Sequence, residues 1–256
     1  MKRILTPFAI AALALSLAAC GSDSDDNDES NLVSSGKLTV CSEVPYPPFE
    51  IEDPDSPSGY TGFDMDIVQY IADEMDLELS VVPTSFTAID GASALNASQC
   101  DLAASAITIN DDRKPNMEFS DGYFTSAQTL LVPEGSPVKE LADLEGKKIG
   151  VQSSTTGETY ANENATGADI VAFEGDSKMF QALKAKTVDA LLQDIGPNRV
   201  HQDDGGFVIV EEYDGAEEYG FAMKKGNTEL VEDVNEALQE MRDSGEYDTV
   251  YAKYFD

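Results

Sequence analysis

The chain has 256 residues, with 16 Lys and Arg against 49 Asp and Glu, a formal net charge of −33, one His and no Trp. That balance excludes a nucleic-acid surface, because phosphate binding needs clustered Lys and Arg to displace counterions. A single imidazole excludes a His-rich metal cluster, and a Ser-His-Asp triad would have to use His201.

Residues 1–20 read MKRILTPFAIAALALSLAAC. Lys2 and Arg3 form a short basic start, residues 8–17 are almost wholly apolar, and Leu17-Ala18-Ala19-Cys20 follows. A run this short is an export signal rather than a membrane span, which needs about 20 apolar residues. The last four residues resemble a bacterial lipobox. That implies a signal peptide over 1–19 and acylation of Cys20, with an ordinary signal and an incidental cysteine as the plainer alternative. Residues 20–36 carry Asp23, Asp25, Asp26, Asp28 and Glu29 and have almost nothing to bury, so they read as an acidic, disordered tether. The folded part is expected to begin near Gly36 and Lys37.

Leu38 to Cys41 reads as a strand that runs into the Pro-rich turn Pro45-Tyr46-Pro47-Pro48-Phe49. Ile67, Val68, Ile71 and Met75 recur at helical spacing over 64–76, with Asp64 and Asp66 at the start, and Leu77, Leu79 and Val81 alternate as in a strand. Residues 88–97 suggest one small-residue helix, and Leu102 to Ile109 a third strand. This β-turn-α-β-α-β order predicts right-handed crossovers onto a parallel sheet.

A second α/β unit follows: a strand at 148–151, the small polar loop Ser153 to Gly157 leading to a helix, a strand at 170–172, a helix over 177–186 with Met179, Phe180 and Leu183 on one face, and a strand at 190–192. His201, in His-Gln-Asp-Asp-Gly-Gly, reads as an exposed loop residue. Leu230, Val234, Leu238 and Met241 mark a helix with Thr228 as its N-cap and Gly245 as its stop, and the closing Tyr and Phe cluster reads as core. Cys41 and Cys100 either form a disulfide, which export would allow, or are two small buried residues. The pairing is open, because neighbouring parallel strands would offset the two.

Catalytic signatures are lacking. There is no phosphate loop, nucleophile elbow or zinc spacing, and paired carboxylates mean little among 49 acids. A binding role fits better. Arg113 stands near the carboxyl end of the strand expected before it, where ligands of open α/β sheets sit, and a guanidinium there can clasp a carboxylate with two parallel bonds.

Tyr46-Pro47-Pro48-Phe49, Gly62-Phe63-Asp64-Met65-Asp66, Ile107 to Arg113, Phe119-Ser120-Asp121-Gly122-Tyr123, Leu144 to Val151, Tyr219-Gly220-Phe221-Ala222 and the closing Gly245-Glu246-Tyr247-Asp248 and Lys253-Tyr254-Phe255 occur in order. Together they resemble the amino-acid-binding solute-binding proteins of bacterial ABC importers, family 3, over residues 37–256. The resemblance implies an α/β fold of the two-lobed periplasmic-binding-protein type (type II). Lobe one would be 37–123 plus 220–256, lobe two 128–214, and the hinge crossovers 124–127 and 215–219. The implied protein is a binder rather than an enzyme, needs no cofactor or metal, and acts outside the cytoplasm as a monomer held to the membrane by lipid on Cys20. Its partners would be a free amino acid and the permease and ATPase of the importer.

Residue by residue, the resemblance gives Arg113 the ligand α-carboxylate, with Thr108 beside it. Asp194 takes the α-ammonium, unless it merely caps the next helix. Thr155 and Thr156 form a capping loop from lobe two, and Ser105 and Ala106 offer backbone acceptors. Tyr46 and Phe86 flank the side chain, and Glu43 contacts it. A carboxylate flanked by aromatics suits Arg, Lys, ornithine or His. Glutamine and cystine binders are alternatives within the family, and Gln152 stands where some glutamine binders have Lys. A cyclohexadienyl-dehydratase-like enzyme on the same fold, with Glu43 or Asp194 as general acid, is the alternative of another class.

Overall fold

The computed structural model describes residues 32–213 and 215–256; the expected signal peptide, Cys20 and residues 20–31 lie outside the described residues. The chain is tied to the fold from Val33 onward. The Asp101 carboxylate accepts the Val33 N–H at 2.6 Å and the Thr39 N–H at 2.7 Å.

The first part of the chain contributes β1 (Lys37–Ser42), β2 (Ile51–Glu52), β3 (Tyr60–Thr61), α1 (Phe63–Glu74), β4 (Glu78–Pro83), α2 (Phe86–Asp90), α3 (Ser93–Asn96), β5 (Leu102–Ala103) and β6 (Met117–Phe119). A first crossover, β7 (Phe124–Ser126), leads to β8 (Gln128–Pro133), β9 (Lys148–Gln152), α4 (Thr156–Asn164), β10 (Asp169–Phe173), α5 (Asp176–Lys184), β11 (Ala190–Asp194), α6 (Ile195–Asp203) and β12 (Phe207–Glu212). A second crossover, β13 (Glu217–Tyr219), returns to β14 (Ala222–Lys224), α7 (Thr228–Ser244) and α8 (Glu246–Phe255).

These elements build two mixed sheets, ordered β4-β1-β5-β14-β6 and β10-β9-β11-β8-β12, with β7 and β13 paired antiparallel between them. Each sheet is covered on both faces, as buried parallel strands require. Leu38 and Val40 of β1 pack with α1 and α7, while Cys41 packs with Phe86, Ile89 and Leu95 of α2 and α3. In the second sheet Ile149 and Leu192 join Ala161 of α4 on one face, and Leu131 and Leu191 join Met179, Phe180 and Leu183 of α5 on the other.

Several expectations are corrected. The sheets are not wholly parallel: β14 runs antiparallel to β5 and β6, and β8 antiparallel to β11 and β12. Each reversed strand is the one entered directly from a crossover, so the reversal records the passage between lobes. The expected strand over 102–109 stops at Ala103. Beyond it Ala106 adopts φ 47°, and its N–H is taken by the buried Asp64 carboxylate at 2.9 Å rather than by a neighbouring strand.

The helix expected over 88–97 is two short helices, broken where Ala92 adopts φ 54°. Helix α7 is preceded by Asn227, with Thr228 its first residue, and it does stop at Gly245, whose φ of 81° suits glycine. His201 is buried, not exposed. It lies within α6, its Nε2 is 2.7 Å from Asp176 Oδ1, and its ring stacks on Phe180 with centroids 3.7 Å apart. The open question of the cysteines is resolved as a disulfide. Cys100 precedes β5, and the turn before the strand brings its Cα within 5.5 Å of that of Cys41.

The aromatic C-terminus flanks the core rather than lying in it, a correction to the sequence reading: Tyr247, Tyr254 and Phe255 are half-buried against it, Tyr251 is exposed, and Val250 is the buried residue of α8. Phe255 packs at 5.0 Å from Phe63, 4.9 Å from Phe124 and 5.8 Å from Phe49, tying α8 to α1 and the first crossover.

Candidate functional site

A narrow cavity lies between the lobes, lined by Glu43, Tyr46, Phe86, Ser105, Ala106, Thr108, Arg113, Gln152, Thr155, Thr156 and Asp194. The ten residues singled out from the sequence therefore meet around one space, and Gln152 completes the lining.

Lobe one supplies the cation. Arg113 is only 4% exposed, and burying a guanidinium demands partners. Its Nε donates to Asp90 at the end of α2 (2.9 Å) and its Nη1 to the Thr108 carbonyl (2.9 Å), while the Phe86 ring lies 5.3 Å from its central carbon. Its Nη2 reaches the Ser154 carbonyl of lobe two at 3.4 Å. These use three of its five N–H donors.

The loop below it is fixed from beneath. The Asp64 Oδ2 that holds Ala106 also accepts from the Tyr123 hydroxyl at 2.6 Å. Ser105 Oγ accepts the Glu43 N–H at 3.1 Å. Burial raises Asp64 to about 6, although Glu50, Tyr123 and the Ala106 N–H all favour its charge. Burial, with Asp64 beside it, pushes Glu50 well above the carboxylate range.

Lobe two supplies the facing carboxyl. Asp194 occupies the N-cap position of α6 but makes no side-chain cap bond. Its Oδ2 instead accepts from the Tyr46 hydroxyl of lobe one at 3.1 Å, and its Oδ1 from Gln128 Nε2 at 2.5 Å. Burial, with the Glu217 charge next in weight, raises its carboxyl to about 7; hydrogen bonds from Tyr219 and Tyr46 and the charge of Arg113 pull the other way. The loop before α4 is braced by its own hydrogen bonds. Thr155 Oγ1 accepts the Glu158 N–H at 3.1 Å and donates to the Gln152 carbonyl at 2.8 Å, and the Glu158 carboxylate returns to the Ser154 N–H at 2.7 Å. The first N–H groups of α4 have no partner within the helix, and their dipole favours an anion.

Glu43 marks the other end. It also lines an adjoining groove that reaches neither Arg113 nor Asp194. Its carboxylate accepts from Gln152 Nε2, and the side-chain oxygen of Gln152, Oε1, is buried with no hydrogen-bond partner. Burial raises Glu43 to about 7, with the Gln152 bond lowering it and Asp176 adding to the rise. Sequence reasoning missed Asp90, Gln128 and Glu217. Glu217 stands two residues before the Tyr219-Gly220 motif and Gln128 just past the first crossover, and those positions were the available signals. Among the described residues no cluster of three or more His, Cys, Asp or Glu side chains is placed to hold a metal ion.

Two α/β lobes, joined by two crossovers and closed on a cavity with a guanidinium on one side and a carboxyl on the other, define a cleft-type binding protein. The chain belongs to the bacterial extracellular solute-binding proteins, family 3, whose pattern matches residues 38–256. It is 34% identical to a "Probable histidine-binding protein" of Neisseria gonorrhoeae, over 96% of this chain and 93% of that one. It is 32% identical to the L-cystine-binding protein TcyJ of Escherichia coli K12, over 86% of this chain and 83% of that one. Among solved structures, an ancestral arginine-binding protein bound to arginine superposes with a TM-score of 0.79 at 37% identity, covering 86% of this chain and 99% of the other.

Proposed function

We propose that this protein is the extracytoplasmic substrate-binding lipoprotein of an ABC importer. It captures a polar, cationic L-amino acid (Arg, Lys, ornithine or His) by hinge closure and delivers it to a membrane permease, acting as a monomer anchored by lipid on Cys20.

The observation that carries this reading is the pairing of Arg113 from one lobe with Asp194 from the other across one small cavity. A fixed cation and a carboxyl that a ligand ammonium ionises, on separate bodies, hold both ends of a zwitterion only when the bodies close. Arg113 and the α4 N-terminus suit the carboxylate, and Asp194 suits the ammonium. Glu43 and the unpaired Gln152 Oε1 both accept, so they favour a donor-rich, cationic side chain over an acidic or apolar one. The relatives' names span histidine, cystine and arginine, and the choice among them rests here on Glu43.

Calorimetry with the twenty amino acids, ornithine and cystine tests the reading. Cationic amino acids should bind tightest, and Arg113→Ala should abolish ligand-induced thermal stabilisation. Tight binding of only glutamate or an apolar amino acid, or undiminished stabilisation in the variant, would overturn it. Turnover of prephenate or arogenate by the same preparation would replace it with the dehydratase reading.

A further inference from the structure

The carboxylate of Glu217, on the second crossover, touches both halves of the molecule. Its Oε2 accepts from the hydroxyls of Thr108 (2.6 Å) and Thr156 (2.7 Å), and its Oε1 from Gln128 Nε2 (3.0 Å). Thr108 belongs to lobe one, next to Arg113. Thr156 opens α4 in lobe two, and Gln128 begins β8 just after the first crossover. The same Gln128 amide donates to Asp194, so Glu217 is joined through one side chain to the proposed ammonium site. Hydrogen bonds to an ionised acceptor are roughly twice as strong as neutral ones.

We propose that Glu217 is a closure latch: a positioning residue that stabilises the closed cleft and sets the donor and acceptor roles of the two hydroxyls within it. The proposal rests on the binding reading above. Rotation of one lobe about the crossovers separates Thr108 from Thr156, and one carboxylate oxygen cannot serve both once they part. The pair of bonds to Oε2 therefore exists only in the closed form and adds to its stability.

The latch also fixes chemistry in the cavity. Each hydroxyl has a single proton, here given to Glu217, so toward a ligand both can only accept. They then favour the α-ammonium, and the carboxylate falls to Arg113 and backbone N–H groups. This refines the role read for Thr108 from the sequence.

Glu217→Ala and Glu217→Gln test the latch, with folding checked by circular dichroism. The readouts are small-angle scattering of the ligand-free protein, stopped-flow release of L-arginine, and arginine affinity across pH. In Glu217→Ala the ligand-free radius of gyration should rise and arginine release should quicken by about tenfold. Glu217→Gln keeps one acceptor oxygen and should recover part of both.

The groups facing Asp194 are Tyr46, Tyr219, Arg113 and Glu217. Removing the last charge should move the acid limb of arginine binding to lower pH in Glu217→Gln, which a merely structural role would not do. A rise in radius or release rate that the amide partly restores supports the latch. Wild-type scattering and wild-type release in both variants overturn it, whatever the acid limb does. Should the alanine variant not fold, the glutamine variant decides by the same readouts. Should the wild-type protein bind no arginine, the binding reading fails at that point, and the ligand-free scattering judges the latch alone.

Discussion

Asp194 and Glu43 are carboxyls whose charge is unsettled at neutral pH, since burial raises each to about 7. A ligand ammonium beside Asp194, or a cationic side chain beside Glu43, favours the ionised form. Arginine binding near pH 6.5 should therefore expel protons, seen as a dependence of the binding heat on the ionisation enthalpy of the buffer. Below pH 7 the affinity should fall by up to about tenfold per pH unit for each of the two groups. Constant affinity from pH 8 to pH 5.5 would show that both carboxyls are already ionised in the free protein. The two can be separated by mutation. Glu43→Gln should weaken arginine by about tenfold or more and leave glutamine within about threefold, because the amide keeps an acceptor but loses the charge. Equal losses for both ligands would assign Glu43 a role in shape rather than in charge selection.

At the scale of elements, closure depends on how nearly α6 can approach lobe one. A Cβ on Gly196 would stand 2.6 Å from Phe49 Cε2. That ring cannot easily move, being packed at 5.1 Å from Phe124, 5.4 Å from Tyr219 and 5.8 Å from Phe255. Gly196→Ala should thus weaken arginine by about tenfold or more while the ligand-free melting temperature changes little, since an opened cleft relieves the contact. Unchanged affinity would show that the contact yields.

The Cys41–Cys100 bridge closes a loop with a sequence separation of 59 and steadies the strand that leads to Glu43. Replacing both cysteines by alanine should cost about 4 kcal/mol, a fall of roughly 10 °C in melting temperature for a protein of this size.

Elements whose burial follows their own periodicity were legible in the sequence: β1, α1, α5 and α7 stand where spacing placed them, and the family motifs named ten cavity residues. Features decided by distant partners were not. The 102–109 strand ends early because Asp64, 42 residues away, takes the Ala106 N–H. His201 is buried by Asp176 and Phe180, although its sequence neighbours are polar. Strand β8 is buried along nearly its whole length and so lacks the alternation that marks a strand. Glu217 and Gln128 gain meaning only once the lobes meet, and Asp90 only once α2 is brought against Arg113, 23 residues away.

The whole molecule carries its charge imbalance mainly on its surface. Setting aside Lys2, Arg3 and the five acids of residues 20–36 leaves 44 acidic and 14 basic side chains. Ion pairs such as Lys37–Glu78, Lys114–Asp111 and Lys178–Glu174 are solvent-exposed and offset little of the repulsion. Between pH 8 and pH 5.5 the buried carboxyls add a pH dependence of their own.

Glu43 and Asp194 at about 7 and Asp64 at about 6 all lie above their ordinary values of 4.5 and 3.8, so across this window the folded state binds more protons than the unfolded state. Stability then declines as pH rises from about 4 through about 7, and acidification over that range restores it. The ligand-free melting temperature should accordingly rise from pH 8 to pH 5.5. Salt should raise it at pH 8 by screening the surface without abolishing the pH trend, since buried groups are screened far less. Bound arginine should oppose the trend by holding Glu43 and Asp194 ionised, making its stabilising effect larger at pH 8 than at pH 5.5. Melting curves at both pH values, in low and high salt, with and without L-arginine, separate these contributions. A ligand-free melting temperature that falls on acidification would mean that these carboxyls are ionised in the folded protein, and that closure places charge rather than protons at the base of the cleft.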